Sequence, residues 1–269
     1  MSLSQAEIKN IRALQTKKGR RVANRFIAEG VRLIEEALRH RYAPEQVFAA
    51  TSVLSERGGR MVDDLKRQRI PTRELSAREM AKISATKTPP GILAVFPIPG
   101  ASLSELWSVS MRTIVMCEDI ADPGNVGTML RSALAFGVDL VILAGRCAEP
   151  FSPKVVRSSM GAVFGLPIVM ADTSTVLSEV RSRQGQLIGS DSTGGSDPGV
   201  LRDAVSAAGD KPLVLAIGSE TDGLSDAVRG SVDSTVRIAH ATAVESLNAA
   251  VAGSILMREM YEARNRRRS

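Results

Sequence analysis

Three stretches of the chain place polar side chains directly after an apolar run. In the first, Asn125 and Arg131 lie six residues apart within residues 122–137, which follow the apolar run 113–117. The run predicts a buried strand, and the residues after it predict a helix with Asn125 as its N-cap. Six helical residues span less than two turns, so both side chains can face the mouth of this strand–turn–helix. Because ligands bind at the carboxyl ends of strands in open α/β sheets, the stretch predicts a site.

The second stretch carries a single carboxylate in a turn that contains glycine. Residues 213–217 form an apolar run, and Gly218, Glu220 and Gly223 follow it. Glycines in such a turn let a ligand approach the backbone closely, which favours a binding role. The alternative is an ordinary strand-to-helix turn, in which the acid favours the helix N-terminus.

The third stretch, residues 236–248, ends a strand and leads through small residues into an apolar helix. Ser246 and Asn248 lie at the start of that helix and are the third pair of candidates. N-capping by Ser246 is the alternative that needs no ligand. From residue 246 through 257 the helix has no charged residue, which indicates burial in a large core or in a subunit interface. In a domain of this size we favour an interface.

Several other function classes lack their fingerprints here. No Gly-x-Gly-x-x-Gly follows the first strand and no Gly-Lys-Ser/Thr occurs, which argues against a dinucleotide-dependent oxidoreductase and a phosphate-loop protein. Cys117 and Cys147 lie in or beside apolar runs, so we interpret them as reduced core residues, and no metal-ligand spacing is present. The start of the chain is polar and no apolar run reaches membrane-spanning length, so we expect a cytoplasmic protein.

Positive charge is concentrated in the first hundred residues. They carry 19 Lys and Arg against 10 Asp and Glu, whereas the whole chain has a formal charge of +6. The excess favours contact with a polyanion, and a solvated surface is the equal alternative. Five cations in residues 17–25 suit a loop that touches phosphates, and a polar turn at 84–91 adds a lysine. The candidate RNA-binding residues are Lys17, Lys18, Arg20, Arg21, Arg25 and Lys87.

The order of short apolar runs and helical patterns predicts two α/β domains. Residues 1–97 alternate short strands and helices and form a compact module. The segment Pro97-Ile-Pro-Gly100, with two prolines and a glycine, leads into a linker of residues 98–108. From residue 109 to 269 the alternation restarts on a larger scale. Apolar strands separated by helices predict a parallel sheet covered on both faces.

Taken together, the three stretches resemble the signature motifs of the SpoU (TrmH-like) ribose methyltransferases of the SPOUT superfamily. Asn125 and Arg131 match the first motif, Glu220 the second, and Ser246 with Asn248 the third, and the resemblance covers roughly residues 110–262. Residues 26–37 and 90–95 resemble that family's substrate-binding domain, which is similar to the ribosomal protein L30e fold. One departure is visible, because the chain has Ile238-Ala-His240 where the family usually has Ile-Pro-Met.

The resemblance implies a C-terminal trefoil knot, a homodimer packed through the closing helix, and S-adenosylmethionine as cofactor. It implies transfer of a methyl group to a ribose 2′-hydroxyl of RNA. The base proposed for the family is the arginine that matches Arg131, but arginine is normally a pure hydrogen-bond donor. We therefore expect Arg131 to bind the adjacent phosphate and stabilise the developing alkoxide, with Asn125 and Glu220 holding it. Ser246 and Asn248 would orient the nucleotide or the cofactor loop. The implied cofactor-binding residues are Ser190, Ser192, Ile217, Gly218, Gly223, Ile238, His240 and Leu247.

The substrate is left open by the sequence. Ribosomal RNA is favoured over transfer RNA, by analogy with modifiers that carry a similar appended domain. The alternatives are a transfer RNA ribose methyltransferase and a catalytically weak RNA-binding or ribosome-assembly protein on the same fold. A resistance enzyme acting on the drug-binding region of ribosomal RNA is a further substrate variant. The chain contains few aromatic residues, so shape and backbone recognition of a folded RNA is expected rather than extended base stacking.

Overall fold

The computed structural model describes residues 2–108, 110–191, 194–241, 243–244 and 246–266. The strands are β1 Arg25–Glu29, β2 Gln46–Ala49, β3 Thr72–Glu74, β4 Ile92–Pro97, β5 Thr113–Glu118, β6 Leu140–Ala144, β7 Ile168–Ala171, β8 Gln186–Ser190, β9 Leu213–Ile217 and β10 Ser234–Val236. The α-helices are α1 Gln5–Ala13, α2 Lys17–Ala23, α3 Val31–Arg39, α4 Glu56–Arg67, α5 Ala77–Ile83, α6 Leu103–Leu106, α7 Pro123–Ala135, α8 Pro153–Ser158, α9 Thr173–Ser182, α10 Gly199–Ala207, α11 Asp226–Arg229 and α12 Ala249–Arg266. Within the described ranges, no helix is both long enough and apolar enough to cross a membrane.

The chain divides into two compact units. The first comprises Met1–Gly100 and Glu149–Gly165, and the second comprises Ala101–Ala148 and Leu166–Ser269. The segment Glu149–Gly165 therefore packs with the first unit, although it lies inside the predicted domain 109–269. The physical reason is an aromatic cluster, which consists of Phe26, Tyr42, Phe96, Phe151 and Phe164 with ring centroids 4.8 to 6.2 Å apart.

The first unit is built on a four-stranded sheet of order β1-β4-β2-β3. Strand β4 pairs antiparallel with β1 and β2, and β2 pairs parallel with β3. All the aromatic residues of the cluster are in this unit, and their packing uses five of the nine Phe, Tyr and Trp residues of the chain. Few rings are thus left to stack on nucleic-acid bases, as the composition predicts.

The second unit contains a six-stranded parallel sheet, which confirms the predicted parallel architecture. Its order is β10-β8-β9-β5-β6-β7. Every residue of β5, β6 and β9 is buried, as expected for strands that are covered on both faces. The chain runs outward from β5 to β7, then returns on the other side of β5 through β8 and β9. Strand order therefore reverses between β5 and β9, and this is the position where open α/β sheets bind ligands.

Helix α7 begins earlier than the sequence indicates. Asp122 is its N-cap, and the Oδ1 of Asp122 accepts a hydrogen bond of 2.9 Å from the backbone N of Asn125. The prediction that Asn125 is the N-cap is wrong, because Pro123 and Gly124 already belong to the first helical turn rather than to a preceding turn. A proline is well tolerated there, since the first N–H groups of a helix have no partner within the helix. Asn125 consequently presents its side-chain amide to another partner.

Candidate active site

Glu220 joins the three predicted motifs through one oxygen atom. Its Oε1 accepts hydrogen bonds from the Nδ2 of Asn125 at 2.9 Å, from the Nδ2 of Asn248, and from the backbone N of Ala249 at 3.1 Å. The Nδ2 of Asn248 also donates to the Oδ1 of Asn125 at 3.1 Å. Residues separated by up to 123 positions in the chain thus meet in one polar network. We call Asn125, Glu220 and Asn248 the polar triad.

Asn248 also caps the long C-terminal helix. Its Oδ1 accepts hydrogen bonds from the backbone N atoms of Ala250 at 3.0 Å and Val251 at 3.2 Å. The alternative interpretation of Ser246 as the N-cap is therefore wrong, because α12 begins three residues after it. Both polar atoms of the Asn248 amide are thus hydrogen-bonded, because the oxygen caps the helix and the nitrogen donates to Glu220. Glu220 in turn places a negative charge at the N-terminus of α12, which is electrostatically favourable.

Arg131 lies outside the polar triad. Each residue of an α-helix is rotated by about 100° about the helix axis, so a residue six positions further on lies about 120° away around the helix. Arg131 and Asn125 therefore point to different sides of α7. Arg131 is exposed, and among the described residues it has no hydrogen bond or ion pair. The expectation that Asn125 and Glu220 hold Arg131 is thus not met in this chain, since the two side chains contact Asn248 instead.

The loop that carries Glu220 is closed on itself. Ser219 and Gly223 exchange two backbone hydrogen bonds of 3.1 Å each, and Gly223 has a φ of +68°. A Cβ atom on Gly218 would lie 2.1 Å from the carbonyl carbon of Gly223. The glycines are therefore required by the loop's own backbone packing, which is a different reason from the ligand approach that the sequence suggests.

The end of this loop is held by Glu118, a residue that the sequence reasoning missed. Glu118 is 2% exposed, and its Oε2 accepts a hydrogen bond of 2.8 Å from the backbone N of Ser225. Its Oε1 accepts from the Oγ of Ser225 at 2.8 Å and from the Oγ1 of Thr173 at 3.0 Å. Buried carboxylates persist only when they are hydrogen-bonded. The available signal was an acid at the last position of an apolar strand, where a local partner cannot be identified from spacing.

The described cofactor-binding candidates line one cavity of about 260 Å³ in the second unit. It is bordered by the loops after β8, β9 and β10 and by the start of α12. The sequence-predicted residues on its wall are Ser190, Ile217, Gly218, Glu220, Gly223, Ile238, His240, Ser246 and Leu247. Ser192 lies outside the described residues. We call this cavity the loop cavity.

A second cavity of about 360 Å³ shares part of its wall with the loop cavity. It is lined by Asn125, Asp119, Asp122 and Arg146, and we call it the helix cavity. Ser219, Glu220, Thr221, Asp222 and Ala249 border both cavities. The backbone N–H of Arg146, followed by its side chain, holds the pKa of Asp119 below its ordinary value, so this carboxyl group is ionised. Glu220 therefore stands between two neighbouring compartments, with Asn125 on the side of the helix cavity.

The two cysteines are buried and free, as the sequence predicts. The thiol of Cys147 contacts the backbone oxygen of Cys117 at 3.2 Å. Burial raises the pKa of Cys147 to about 11 and holds the pKa of Cys117 well above its ordinary range. Neither thiol is therefore a nucleophile near neutral pH.

Residues 17–23 of the basic segment form helix α2 rather than a loop, Arg25 begins β1, and the cations of the segment differ in availability. Thr16 caps α2, and Lys17, Lys18 and Arg21 are exposed on it. Arg20 is 3% exposed. Its Nε and Nη2 donate to Glu149 at 3.0 and 2.6 Å, and its Nη1 donates to the backbone oxygen of Leu14 at 2.9 Å. The prediction that Arg20 contacts phosphate is wrong, because this side chain holds the Glu149–Gly165 segment in the first unit.

The remaining two RNA-binding candidates are exposed. Arg25 forms an ion pair with Glu45, and Lys87 lies in the turn before β4. That turn is anchored by Glu29, which is 8% exposed and whose Oε1 accepts a hydrogen bond of 2.7 Å from the backbone N of Ala85. The hydroxyl of Ser84 donates to the other oxygen of Glu29. A buried carboxylate thus fixes the segment that presents Lys87.

Two family profiles match the chain. The profile described as the SpoU rRNA Methylase family matches residues 112–258, and the profile described as the MRM3-like substrate binding domain matches residues 5–94. The first range contains all three motifs of the candidate site. The second covers the basic part of the chain. Both matches confirm the resemblance inferred from the residues.

Individual relatives agree with these profiles. The chain is 30% identical to the 23S rRNA (guanosine(2553)-2′-O)-methyltransferase RlmP of Bacillus subtilis over 67% of its length and 68% of the relative's. The SpoU methyltransferase AviRb from Streptomyces viridochromogenes, solved in complex with its cofactor AdoMet, superposes with a TM-score of 0.81 at 30% identity. That superposition covers 97% of this chain and 99% of AviRb. An AdoMet-bound rRNA methyltransferase from Sinorhizobium meliloti superposes with a TM-score of 0.83 at 28% identity. This superposition covers 99% of this chain and 97% of the Sinorhizobium meliloti chain. The chain belongs to the SpoU rRNA methylase family.

Proposed function

We propose that this chain transfers the methyl group of S-adenosylmethionine to a ribose 2′-hydroxyl of structured RNA, and that the RNA is ribosomal. The observation that carries the proposal is the polar triad, in which Glu220 joins Asn125 and Asn248 on the wall between two cavities. The relatives support it, because the RlmP enzyme is named for 2′-O-methylation of 23S rRNA and two superposed structures contain AdoMet.

The loop cavity suits S-adenosylmethionine. Its wall combines apolar side chains, among them Leu224, Val236 and Leu256, with backbone and carboxyl groups of the Glu220 loop. Such a mixture buries an adenine ring and orients the polar groups of a ligand. We assign Ser190, Ser192, Ile217, Gly218, Gly223, Ile238, His240 and Leu247 to cofactor binding. The bound cofactor supplies an electrophilic methyl group on a sulfonium ion.

The chain's own residues then have to position the acceptor. Asn125 borders the helix cavity, and its amide is held by Glu220 and Asn248. We place the target ribose in the helix cavity, so that its 2′-hydroxyl approaches the loop cavity past Glu220. Orientation of this kind accounts for a large part of the rate of a transfer between two bound molecules. Ser246, on the wall of the loop cavity, orients the cofactor loop or the nucleotide.

Arg131 has a different role from the polar triad. An arginine side chain stays protonated in proteins, so it donates rather than removes a proton. The exposed guanidinium on α7 borders neither cavity, so it suits the phosphate next to the target ribose better than an alkoxide inside the helix cavity. Arg131→Lys should then retain part of the activity, because lysine still supplies the charge. A variant without measurable activity but with intact cofactor and RNA binding would favour a role that only a guanidinium can fill.

We also propose a homodimer through α12. One face of this helix is buried within the unit, while Val251 and Ile255 leave 48% and 37% of their surfaces exposed one helical turn apart. The first half of the helix is thus apolar on its buried and its exposed side, as the composition suggests, and it presents an exposed apolar strip. Exposed apolar patches of this kind favour association. Light scattering should give the mass of a dimer, and Ile255→Asp should shift it toward a monomer.

The RNA-binding face is formed by the first unit. Lys17, Lys18, Arg21 and Lys87 are its exposed candidates, and Arg25 contributes with part of its charge paired to Glu45. The trefoil knot, the domain bounds 1–97, 98–108 and 109–269, and the cytoplasmic location remain predictions from the sequence.

Methyl transfer from labelled S-adenosylmethionine tests the proposal. Purified ribosomal RNA and transfer RNA, both lacking the modification, are offered in parallel, and methylated sites are mapped by their resistance to alkaline cleavage. We expect label in ribosomal RNA at a ribose, and its loss in Asn125→Ala. Label in transfer RNA alone would favour the alternative substrate. No label in either, with RNA still bound, would favour an RNA-binding or assembly protein.

A further inference from the structure

The charged residues that line the loop cavity are mostly acidic. Asp191, Glu220 and Asp222 border it, and Arg229 is the single lysine or arginine among the described lining residues. S-adenosylmethionine carries positive charge on its sulfonium and its ammonium group and negative charge on one carboxylate. The acidic side chains suit the two cationic groups. They would repel the carboxylate unless a cation lies nearby.

Arg229 is positioned to be that cation. It is the last residue of α11, and its Nη2 donates a hydrogen bond of 3.2 Å to the backbone oxygen of Asp222. A Cβ atom on Gly223 would lie 3.0 Å from the same nitrogen, so the absent side chain lets the guanidinium reach the loop. Within the described part of the chain, Arg229 has no ion pair with a carboxylate. Several other arginines do, such as Arg202 with Glu259 at 3.0 Å.

We propose that Arg229 binds the carboxylate of the amino-acid part of S-adenosylmethionine. The inference rests on the proposed cofactor site and goes beyond it, because it assigns one cofactor group to one side chain. A guanidinium offers two parallel N–H donors that match a carboxylate, and such charge-assisted pairs are stronger than neutral hydrogen bonds. The hydrogen bond to Asp222 uses one nitrogen and leaves the remaining donors for the ligand.

The test compares two ligands that differ at this group. S-adenosylhomocysteine carries the amino acid, whereas 5′-methylthioadenosine has the same thioadenosine without the carboxylate and the ammonium group. Both are titrated by calorimetry into the unsubstituted chain and into R229Q. R229Q should bind S-adenosylhomocysteine at least about tenfold more weakly, as expected for loss of a charge-assisted pair. Its affinity for 5′-methylthioadenosine should be unchanged, and R229K should recover part of the loss.

Arg237→Gln is the matched control, because this substitution also removes one positive charge. Arg237 is exposed, lies between Val236 and Ile238 in the chain, and does not border the loop cavity. It should leave both affinities unchanged. An equal loss for both ligands in R229Q would overturn the proposal, since Arg229 would then only support the loop through Asp222. An unchanged affinity for S-adenosylhomocysteine would also overturn it. Failure of the unsubstituted chain to bind either nucleoside, with or without RNA, would instead contradict the cofactor site itself.

Discussion

Asn248 donates a hydrogen bond to Glu220 through its Nδ2, while its Oδ1 accepts hydrogen bonds from the second and third backbone N–H groups of α12. One side chain thus ties the Glu220 loop to the start of the C-terminal helix. The same nitrogen reaches Asn125 on α7. The position of the loop that borders both cavities therefore depends on the helix cap.

Substitution of Asn248 should separate these two roles. Asn248→Ala removes both, so the free energy of unfolding should fall by about 1 kcal/mol, which is typical for loss of an N-cap. Asn248→Asp keeps the cap but places a second carboxylate against Glu220. Its stability should stay close to that of the unsubstituted chain, while its affinity for S-adenosylmethionine should fall. Urea unfolding measures the stability and calorimetry measures the affinity for S-adenosylmethionine. An Asn248→Asp variant that binds the cofactor normally would show that the contact between Asn248 and Glu220 does not support cofactor binding.

The contact between Glu118 and Ser225 should affect both the stability of the chain and its affinity for the cofactor. Glu118→Met removes the acceptor for the backbone N and hydroxyl of Ser225, which should cost about 1–3 kcal/mol and weaken cofactor binding. Glu118→Gln should recover much of both, since the hydroxyl groups can reverse their roles as donor and acceptor. Thr173→Val is the control, because it removes one donor to Glu118 and leaves the loop contact intact. A Thr173→Val variant as weak in cofactor binding as Glu118→Met would contradict this account.

Arg20 and Lys17 should behave differently although they are neighbours on α2. Arg20→Ala leaves Glu149 without its partner in a site where Arg20 is 3% exposed, so the unfolding free energy should fall by about 3 kcal/mol. Lys17→Ala should leave stability unchanged, weaken RNA binding, and reduce the slope of log affinity against log salt by about 1. Thermal unfolding and RNA titrations at several salt concentrations distinguish the two. If Arg20→Ala were as stable as the unsubstituted chain and reduced the slope of log RNA affinity against log salt, Arg20 would be a phosphate contact after all.

Glu29 should influence RNA binding through Lys87. Glu29→Met releases the turn at Ser84 and Ala85, so it should weaken RNA binding about as much as Lys87→Ala does. The double variant should bind no more weakly than the poorer single variant, because the two residues act through one segment. The measurement is a double-mutant cycle, in which RNA affinity is determined for the unsubstituted chain, the two single variants and the double variant. Fully additive losses would show that Glu29 does not act through Lys87.

The buried thiol of Cys147 predicts a pH dependence. Its pKa is raised from 9.0 to about 11 by burial, so the unfolded chain loses this proton at lower pH than the folded chain. The stabilisation is present below pH 9 and should be lost as the pH rises from 9 towards 11. Cys147→Ala removes this contribution, and the difference between the two unfolding curves across that range isolates it from other groups. A difference that stays constant with pH would contradict the prediction.

The parallel sheet and the place of the site could be predicted because their signals are local. Buried strands such as β5 and β9 are continuous apolar runs, and the polar residues after them gather where those strands end. Spacing alone does not join Asn125, Glu220 and Asn248, because their grouping into one site comes from the resemblance of the three motifs to the SpoU family.

Other features depend on partners that are remote in sequence. Nothing around Arg20 indicates that Glu149 buries it, and nothing around Phe151 indicates that it packs on Phe26. Spacing along the chain therefore does not indicate that the Glu149–Gly165 segment packs within the first compact unit. Arg131 illustrates a different difficulty, because spacing of less than two turns does not by itself place two side chains on the same side of a helix.

Calorimetric titration of S-adenosylmethionine into the unsubstituted chain, Arg131→Ala and Asn248→Ala tests the central claim most directly. We predict micromolar-range binding by the unsubstituted chain. Arg131→Ala should bind equally well because Arg131 borders neither cavity, and Asn248→Ala should bind more weakly because the Glu220 loop loses its tie to α12. Absence of binding by the folded, unsubstituted chain, with ribosomal RNA present or absent, would contradict the account.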